Sequence, residues 1–113
     1  MAGDHMEVLQ GTLDLLVLKA LTVGSMHGYS ILAWLRRATD GKLHIVDAAL
    51  YPALHRMEAR GLIESEWGLS ENSRRAKFYR LTAHGRQQLR AESASWTRYA
   101  GLMAKVLSSA EEA

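Results

Sequence analysis

Cysteine is absent from the 113 residues, which removes disulfides, thiolate metal sites and cysteine nucleophiles together and fits a reducing compartment. No apolar run approaches the ~20 residues of a membrane-spanning helix and no secretory leader is visible, so the chain is expected to stay in the cytoplasm, away from membranes. Catalytic signatures are missing as well. There is no glycine-rich phosphate loop, no His-Glu-x-x-His and no serine in a nucleophile-elbow context. The five histidines are scattered, without a ligand pair and a third partner. Glu64 and Glu66 read as a solvated strand face rather than an acid and a base. Enzymatic activity, metal and cofactor are therefore not expected.

What is present is a 48% hydrophobic composition, enough for one globular unit. Net charge is only +2, yet arginine supplies ten of the fourteen cations. With a pI near 9.2 the balance leans toward a polyanionic partner. The opening six residues show no pattern and read as a frayed or extraneous end, outside the fold.

Thr12 can cap a helix in which Leu13, Leu16, Val17, Ala20 and Leu21 repeat at helical spacing, with Gly24 as its end. A second helix is expected from Gly28 or Tyr29, with Ile31, Leu32 and Leu35 inward, Arg36 and Arg37 in the last turn, and Gly41 as the stop. Tyr29 reads as a packed ring. Leu43, His44 and Ile45 suffice for a short strand.

The stretch Asp47 to Gly61 is the one expected to meet a ligand. At ~100° per residue, Leu50, Ala53, Leu54 and Met57 share one side and Ala48, Pro52, His55 and Ala59 the other. The free side is unusually smooth in its first half (Ala48, Ala49, Tyr51, Pro52) and basic in its second (His55, Arg56, Arg60). Small residues let a helix approach a groove floor, and the cations behind them can reach phosphates. Asp47 is the natural cap, but Pro52 would then fall beyond the first turn and clash with the carbonyl of Ala48. Either the helix starts nearer Ala49 or its first turn is bent.

Residues 62 to 67 alternate with period two, Ile63 and Trp67 on one face and Glu64 and Glu66 on the other. After a polar connection from Gly68 to Ala76, residues 77 to 81 read as a partner strand with Tyr79 and Leu81 inward. The tip carries Arg74 and Arg75, with Lys77 beside it, and phosphate contact is the role such a cluster suits. Thr82 then caps a last helix to about Ser108, roughly 40 Å long at ~1.5 Å per residue. Its apolar positions include Leu89, Trp96, Tyr99, Leu102, Met103 and Val106, of which 89, 96 and 103 are spaced by sevens and 99 with 106 repeats the interval, as in a packed helix seam. A small body cannot cover so long a helix, so a second copy of the chain is the expected cover.

Three helices and a basic-tipped hairpin follow the order of a winged helix-turn-helix, a mainly α, α+β fold. The residues also resemble a family. Gly-Thr-Leu-Asp-Leu-Leu-Val-Leu (11 to 18), His-Gly-Tyr (27 to 29), Leu-Tyr-Pro-Ala-Leu-His-Arg-Met-Glu (50 to 58), Gly-Leu-Ile-Glu-Ser-Glu-Trp (61 to 67) and Tyr-Arg-Leu-Thr (79 to 82) look like the PadR family of bacterial transcription regulators. The resemblance implies a homodimeric repressor, with residues 9–82 forming the DNA-binding head and 83–109 the dimerisation helix, often responsive to a small aromatic or hydrophobic effector. It implies a palindromic double-stranded operator, with Tyr51 and its helical neighbours at the DNA and Arg74 and Lys77 on the wing. A cavity between subunits would be lined by Trp96, Tyr99 and Met103. Two departures stand out: Ala48 and Ala49 replace a common Gly-Thr or Gly-Ser pair, and Arg74, Arg75 and Ala76 replace a common Arg-Pro-Arg. The alternative from another class is a dimeric small-molecule binder or adaptor whose winged head contacts protein.

Overall fold

Apolar residues at helical spacing define three short helices that bury one stripe each, and those stripes meet in one core. The computed structural model describes residues 6–9 and 11–110. In order the elements are β1 (Met6–Glu7), α1 (Leu13–Ala20), β2 (Met26–His27), α2 (Gly28–Ala38), β3 (Leu43–His44), α3 (Asp47–Ala59), β4 (Ile63–Leu69), β5 (Arg75–Leu81) and α4 (Ala83–Leu107). Val17, Leu18, Ile31, Leu50, Leu54, Met57, Leu62 and Ile63 are all essentially inaccessible to solvent. This is the winged helix-turn-helix expected, with its long C-terminal helix.

Several details depart from the sequence pattern. Residues 1–5 of the patternless opening lie outside the described residues, but Met6 is part of the fold: β1 pairs in parallel with β3, Met6 opposite Leu43. Thr12 precedes α1 in a helical backbone conformation and makes no side-chain cap. Its hydroxyl donates instead to the Leu9 carbonyl at 2.6 Å. At the other end α1 stops at Ala20, and the chain reaches Gly24 through single i to i+3 turns. In α2 the cap is His27, whose ring accepts from the Ser30 amide; its stop begins one residue early, Asp40 already taking a φ of 53°.

At Pro52 the helix does not start late but carries the proline within it, and its first turn is tightened. α3 begins at Asp47, capped by Val46 without a side-chain bond, and runs through Pro52. The Ala49 amide bonds to the Val46 carbonyl at 2.9 Å, an i to i+3 closure of the kind that ends many helices. Its C-terminus is a left-handed stop at Gly61 (φ 75°). There the amides of Gly61 and Leu62 reach back to the carbonyls of Glu58 and Met57, a double bond pattern that favours glycine.

The hairpin is longer in its strands and shorter at its tip than the composition suggests. Gly68 pairs with Ala76 and Leu69 with Arg75, so only 70–74 form the turn. Glycine and alanine are poor strand formers, which hid the extension; here the Phe78 ring covers Gly68. Two-residue β2 adds a third strand on the far side of β5, Met26 opposite Tyr79. Tyr79 and Leu81 are buried as their period requires.

Thr82 joins α4 to this body. Its side chain accepts from the Gly85 amide at 3.0 Å and donates to the Gly61 carbonyl at 2.6 Å. Gly85 lies so close to the Leu62 carbonyl that a Cβ there would overlap it, so the first turn of α4 is held backbone to backbone. Leu89 packs on the core and Trp96 still lies beside Leu15 and Leu16 of α1; from Gly101 to the end of the 25-residue helix every residue is exposed, and the long axis of the molecule reaches 63 Å. Among the described residues no helix is long and apolar enough to cross a membrane.

The two threonines differ in their bonding, and this is measurable. Thr82→Ala is expected to cost about 1–2 kcal/mol in urea unfolding, the range of a lost N-cap. Thr12→Ala, which loses only a solvent-side hydroxyl bond, should stay within about 0.5 kcal/mol. Equal costs would contradict these cap assignments.

Candidate nucleic-acid interface

Because Leu50, Ala53, Leu54 and Met57 are fully buried, α3 has one rotational setting, and it turns Ala48, Ala49, Tyr51, Pro52 and His55 to solvent. Between this face and the β4–β5 hairpin, the wing, runs an open cleft of about 680 Å³. Tyr51 and His55 line one wall, Arg74, Arg75 and Lys77 the other, and the start of α2 closes the end. Of the expected recognition face, Tyr51 and His55 thus share one cleft with the expected basic tip; Ala48 and Pro52 are exposed outside its lining, and Ala49 borders a separate pocket with Val8, Leu13 and Val46. Arg56 does not: its guanidinium lies on another flank of α3, donating to the Asp14 carboxylate at 3.0 Å.

Tyr51 is 49% exposed, and its inner edge rests on α2. The hydroxyl occupies the space a Cβ on Gly28 would need, so glycine there is a seat for the ring. Tyr29, read from the sequence as packed, is 66% exposed instead. It lies two residues after the cap and its position on α2 faces the cleft, so the ring finds no core to enter. Asp47, at the opening of α3, accepts from Arg36 at 3.3 Å, a contact that also suits the positive end of the helix.

The wing is segregated by strand alternation. On one face Arg80 donates to Glu64 at 2.8 Å and to Glu66 at 3.0 Å, engaging both carboxylates of β4. On the other face Trp67 stands with Arg75 and Lys77, the Arg75 guanidinium 4.7 Å from the indole centroid. At the tip Glu71 approaches the ring of His27 at 3.8 Å, and His27 meets Phe78 edge-on at 5.3 Å. The hairpin is tied to α3 by Ser65, which donates to Glu58 at 2.7 Å. Beneath that bond burial, followed by the nearby Glu58 carboxylate and Tyr51, pushes the Tyr79 phenol above its ordinary range.

On α4 the apolar residues meet two fates. Leu89, assigned by its spacing to a seam between subunits, packs on the chain's own core. Trp96, Tyr99, Leu102, Met103 and Val106 are exposed, Trp96 and Tyr99 with ring centroids 6.2 Å apart. Trp96 also borders a groove of about 250 Å³ with Met6, Leu9, Leu15, Leu16 and Leu43. The sequence pattern missed the His27 cap, although Ser30 three residues on is the spacing at which caps and amides meet. It gave no sign of the Arg75–Trp67 stack, which depends on hairpin register.

Residues 17–91, about two thirds of the chain, match the transcriptional regulator PadR-like family. The chain belongs to that family. Among solved structures it is similar to a transcriptional regulator from Clostridium thermocellum, 30% identical over 85% of this chain and 93% of the other, with a TM-score of 0.77. A PadR family transcriptional regulator from Eggerthella lenta is 33% identical over 89% of this chain and 86% of that one, TM-score 0.75. The PadR of Bacillus subtilis, solved in complex with operator DNA, shares the fold: TM-score 0.64 at 23% identity, over 74% of this chain and 46% of that one. In this PadR-like chain the cleft therefore lies between the third helix and the wing of a regulator fold.

The Tyr51 seat has a signature in stability. Gly28→Ala is expected to displace the half-exposed Tyr51 ring and destabilise the protein by about 0.5–1 kcal/mol, the low end of overpacking because the ring can move outward. In a Tyr51→Ala background the same change should be neutral or stabilising, since alanine is the better helix residue. Denaturant unfolding of the four proteins tests this, and equal costs in both backgrounds would refute the contact.

Proposed function

We propose that the chain is a sequence-specific DNA-binding regulator that acts as a homodimer and represses transcription. The observation that carries this reading is the cleft bounded by Tyr51 and His55 of the exposed α3 face and by three wing cations. Ala48, Ala49 and Pro52 allow α3 to approach the floor of the major groove, and Tyr51 and His55 present ring and imidazole to base edges. Arg74, Arg75 and Lys77 grip the sugar-phosphate backbone. Arg56 takes part in DNA contact only by leaving Asp14, a partly exposed pair of the kind worth about 0–1 kcal/mol. The Bacillus subtilis relative, solved with its operator, supports the partner class.

In this reading residues 9–82 form the DNA-binding head and 83–109 the dimerisation helix. Trp96, Tyr99, Leu102, Met103 and Val106 carry the subunit contact, since a soluble monomer seldom exposes so continuous an apolar stripe. Two heads so joined would read half-sites of a palindrome about one helical turn, ~34 Å, apart. A flat aromatic or hydrophobic effector would enter between subunits against Trp96, Tyr99 and Met103 and release DNA by preferring one arrangement of the heads.

Selection of bound fragments from a DNA library, followed by titration at several salt concentrations, tests the function. A palindromic preference is expected. Replacing Arg74 and Arg75 by alanine should weaken binding to all sequences alike and lower the log–log salt slope by about one per arginine. Tyr51→Ala or His55→Ala should instead change which sites are preferred. A wing variant that altered preference and spared affinity would reverse these roles, and indifference to every duplex at low salt would end the proposal.

Dimerisation is tested apart from DNA. Leu102→Asp with Met103→Asp should yield monomers in sedimentation, bind the selected operator at least about tenfold more weakly, and take up no flat aromatic compound in calorimetry, because a charge cannot be buried unpaired at such a seam. The melting of the head should be almost unchanged. A variant that remained dimeric would disprove the assigned interface.

A further inference from the structure

An arginine on a hairpin is normally free to sample many rotamers, and fixing it against a phosphate costs side-chain entropy. Arg75 is not so free. Trp67 stands in β4 directly opposite Lys77 and diagonal to Arg75 in the antiparallel register, positions from which long side chains reach across a strand pair. The guanidinium carbon of Arg75 lies 4.7 Å from the indole centroid and the Lys77 Nζ 6.0 Å from it. Trp67 is itself 57% exposed, so burial in the core does not account for its place. A guanidinium stacked on a ring through its face keeps its in-plane N–H groups open to an anion. Among the described residues neither Arg75 nor Lys77 is paired with a carboxylate: Glu64 and Glu66 are engaged by Arg80, and Glu71 approaches His27.

We propose that Trp67 is a positioning residue of the wing, an indole platform that holds Arg75, with Lys77 beside it, in the arrangement that meets DNA phosphates. This rests on the reading of the wing as a backbone grip. Trp67 itself needs no contact with a base. Its effect is to lower the ordering cost of the cations, so it acts on affinity for every sequence and not on preference.

The test uses the full chain and a fluorescein-labelled random-sequence duplex of about 30 base pairs at roughly 50 mM salt, where binding is carried by phosphates. Trp67→Leu should weaken binding about 2- to 5-fold, the range of an exposed cation–π contact, while Trp67→Phe, which keeps a ring face, should recover most of the loss. Added to Arg75→Ala with Lys77→Ala, Trp67→Leu should have no further effect. In NMR spectra of the free protein the Arg75 side-chain protons should be shifted upfield by the indole and return to ordinary positions in Trp67→Leu. Absence of that shift in the unsubstituted protein, or an undiminished loss from Trp67→Leu in the Arg75→Ala, Lys77→Ala background, would overturn the positioning role. If Arg75→Ala with Lys77→Ala bound as tightly as the unsubstituted protein, the backbone-grip reading itself would fall, and the role of Trp67 with it.

Discussion

The seating of α3 is the constraint from which the rest of the surface follows. Leu50, Leu54 and Met57 are each fully buried, and exposing any one of them would cost roughly 1.5–3 kcal/mol. A turn of the helix by even one residue would expose several. Against this, the Arg56–Asp14 pair on its flank is a partly exposed contact worth about 0–1 kcal/mol, so it follows the setting of the helix and does not determine it. The smooth face is thus fixed by what lies behind it. That explains how Ala48, Ala49 and Pro52, which make no strong contact, come to occupy a defined orientation.

The wing obeys a second rule, strand alternation, and alternation sorts charge. Glu64 and Glu66 fall on the same face as Arg80 and are engaged there; Trp67, Arg75 and Lys77 fall on the other. Without that sorting, Glu64 and Glu66 would join Glu71 beside the wing cations, and a net charge of only +2 would leave little local field. The modest total therefore conceals a local cationic wall on the cleft side, the quantity that governs attraction to a polyanion. Ser65 and Glu58 link this wall to α3, so the two sides of the cleft are fixed relative to each other.

Most of the fold was legible because its signals are local and repeated. The buried stripes of α2 and α3, the inward Tyr79 and Leu81, and the Thr82 cap all follow from spacing within a few residues. What escaped depended on register or on distance in the chain. β2 is two residues long, too short for a period of two to show, and its strand character comes only from Tyr79 and Phe78 lying opposite. The Tyr51–Gly28 seat joins residues 23 apart, and the Asp14–Arg56 pair residues 42 apart. Nothing local foretells either. Leu89 shows the limit of a period: its interval of seven to Trp96 is real, but the half-buried Leu89 packs on the chain's own core while Trp96 lies in an open groove beside α1, so one period serves two different surroundings.

The exit of α4 from the body carries a mechanical consequence. The helix is joined to the head at Thr82, which bonds both to Gly85 and to the Gly61 carbonyl, and at Gly85, which lies against the Leu62 carbonyl with no room for a side chain. Gly61 and Leu62 are also the stop of α3. The end of α3 and the start of α4 therefore share one backbone junction, with no flexible linker between them. A long helix so anchored acts as a lever: a small rotation near Trp96, roughly 20 Å along the axis at ~1.5 Å per residue from Thr82, moves the head as a unit. Under the proposed dimer, this rigidity would let contacts between two tails set the distance between two clefts. A loose junction would leave that distance undefined, and a palindrome could then not be distinguished from two independent half-sites.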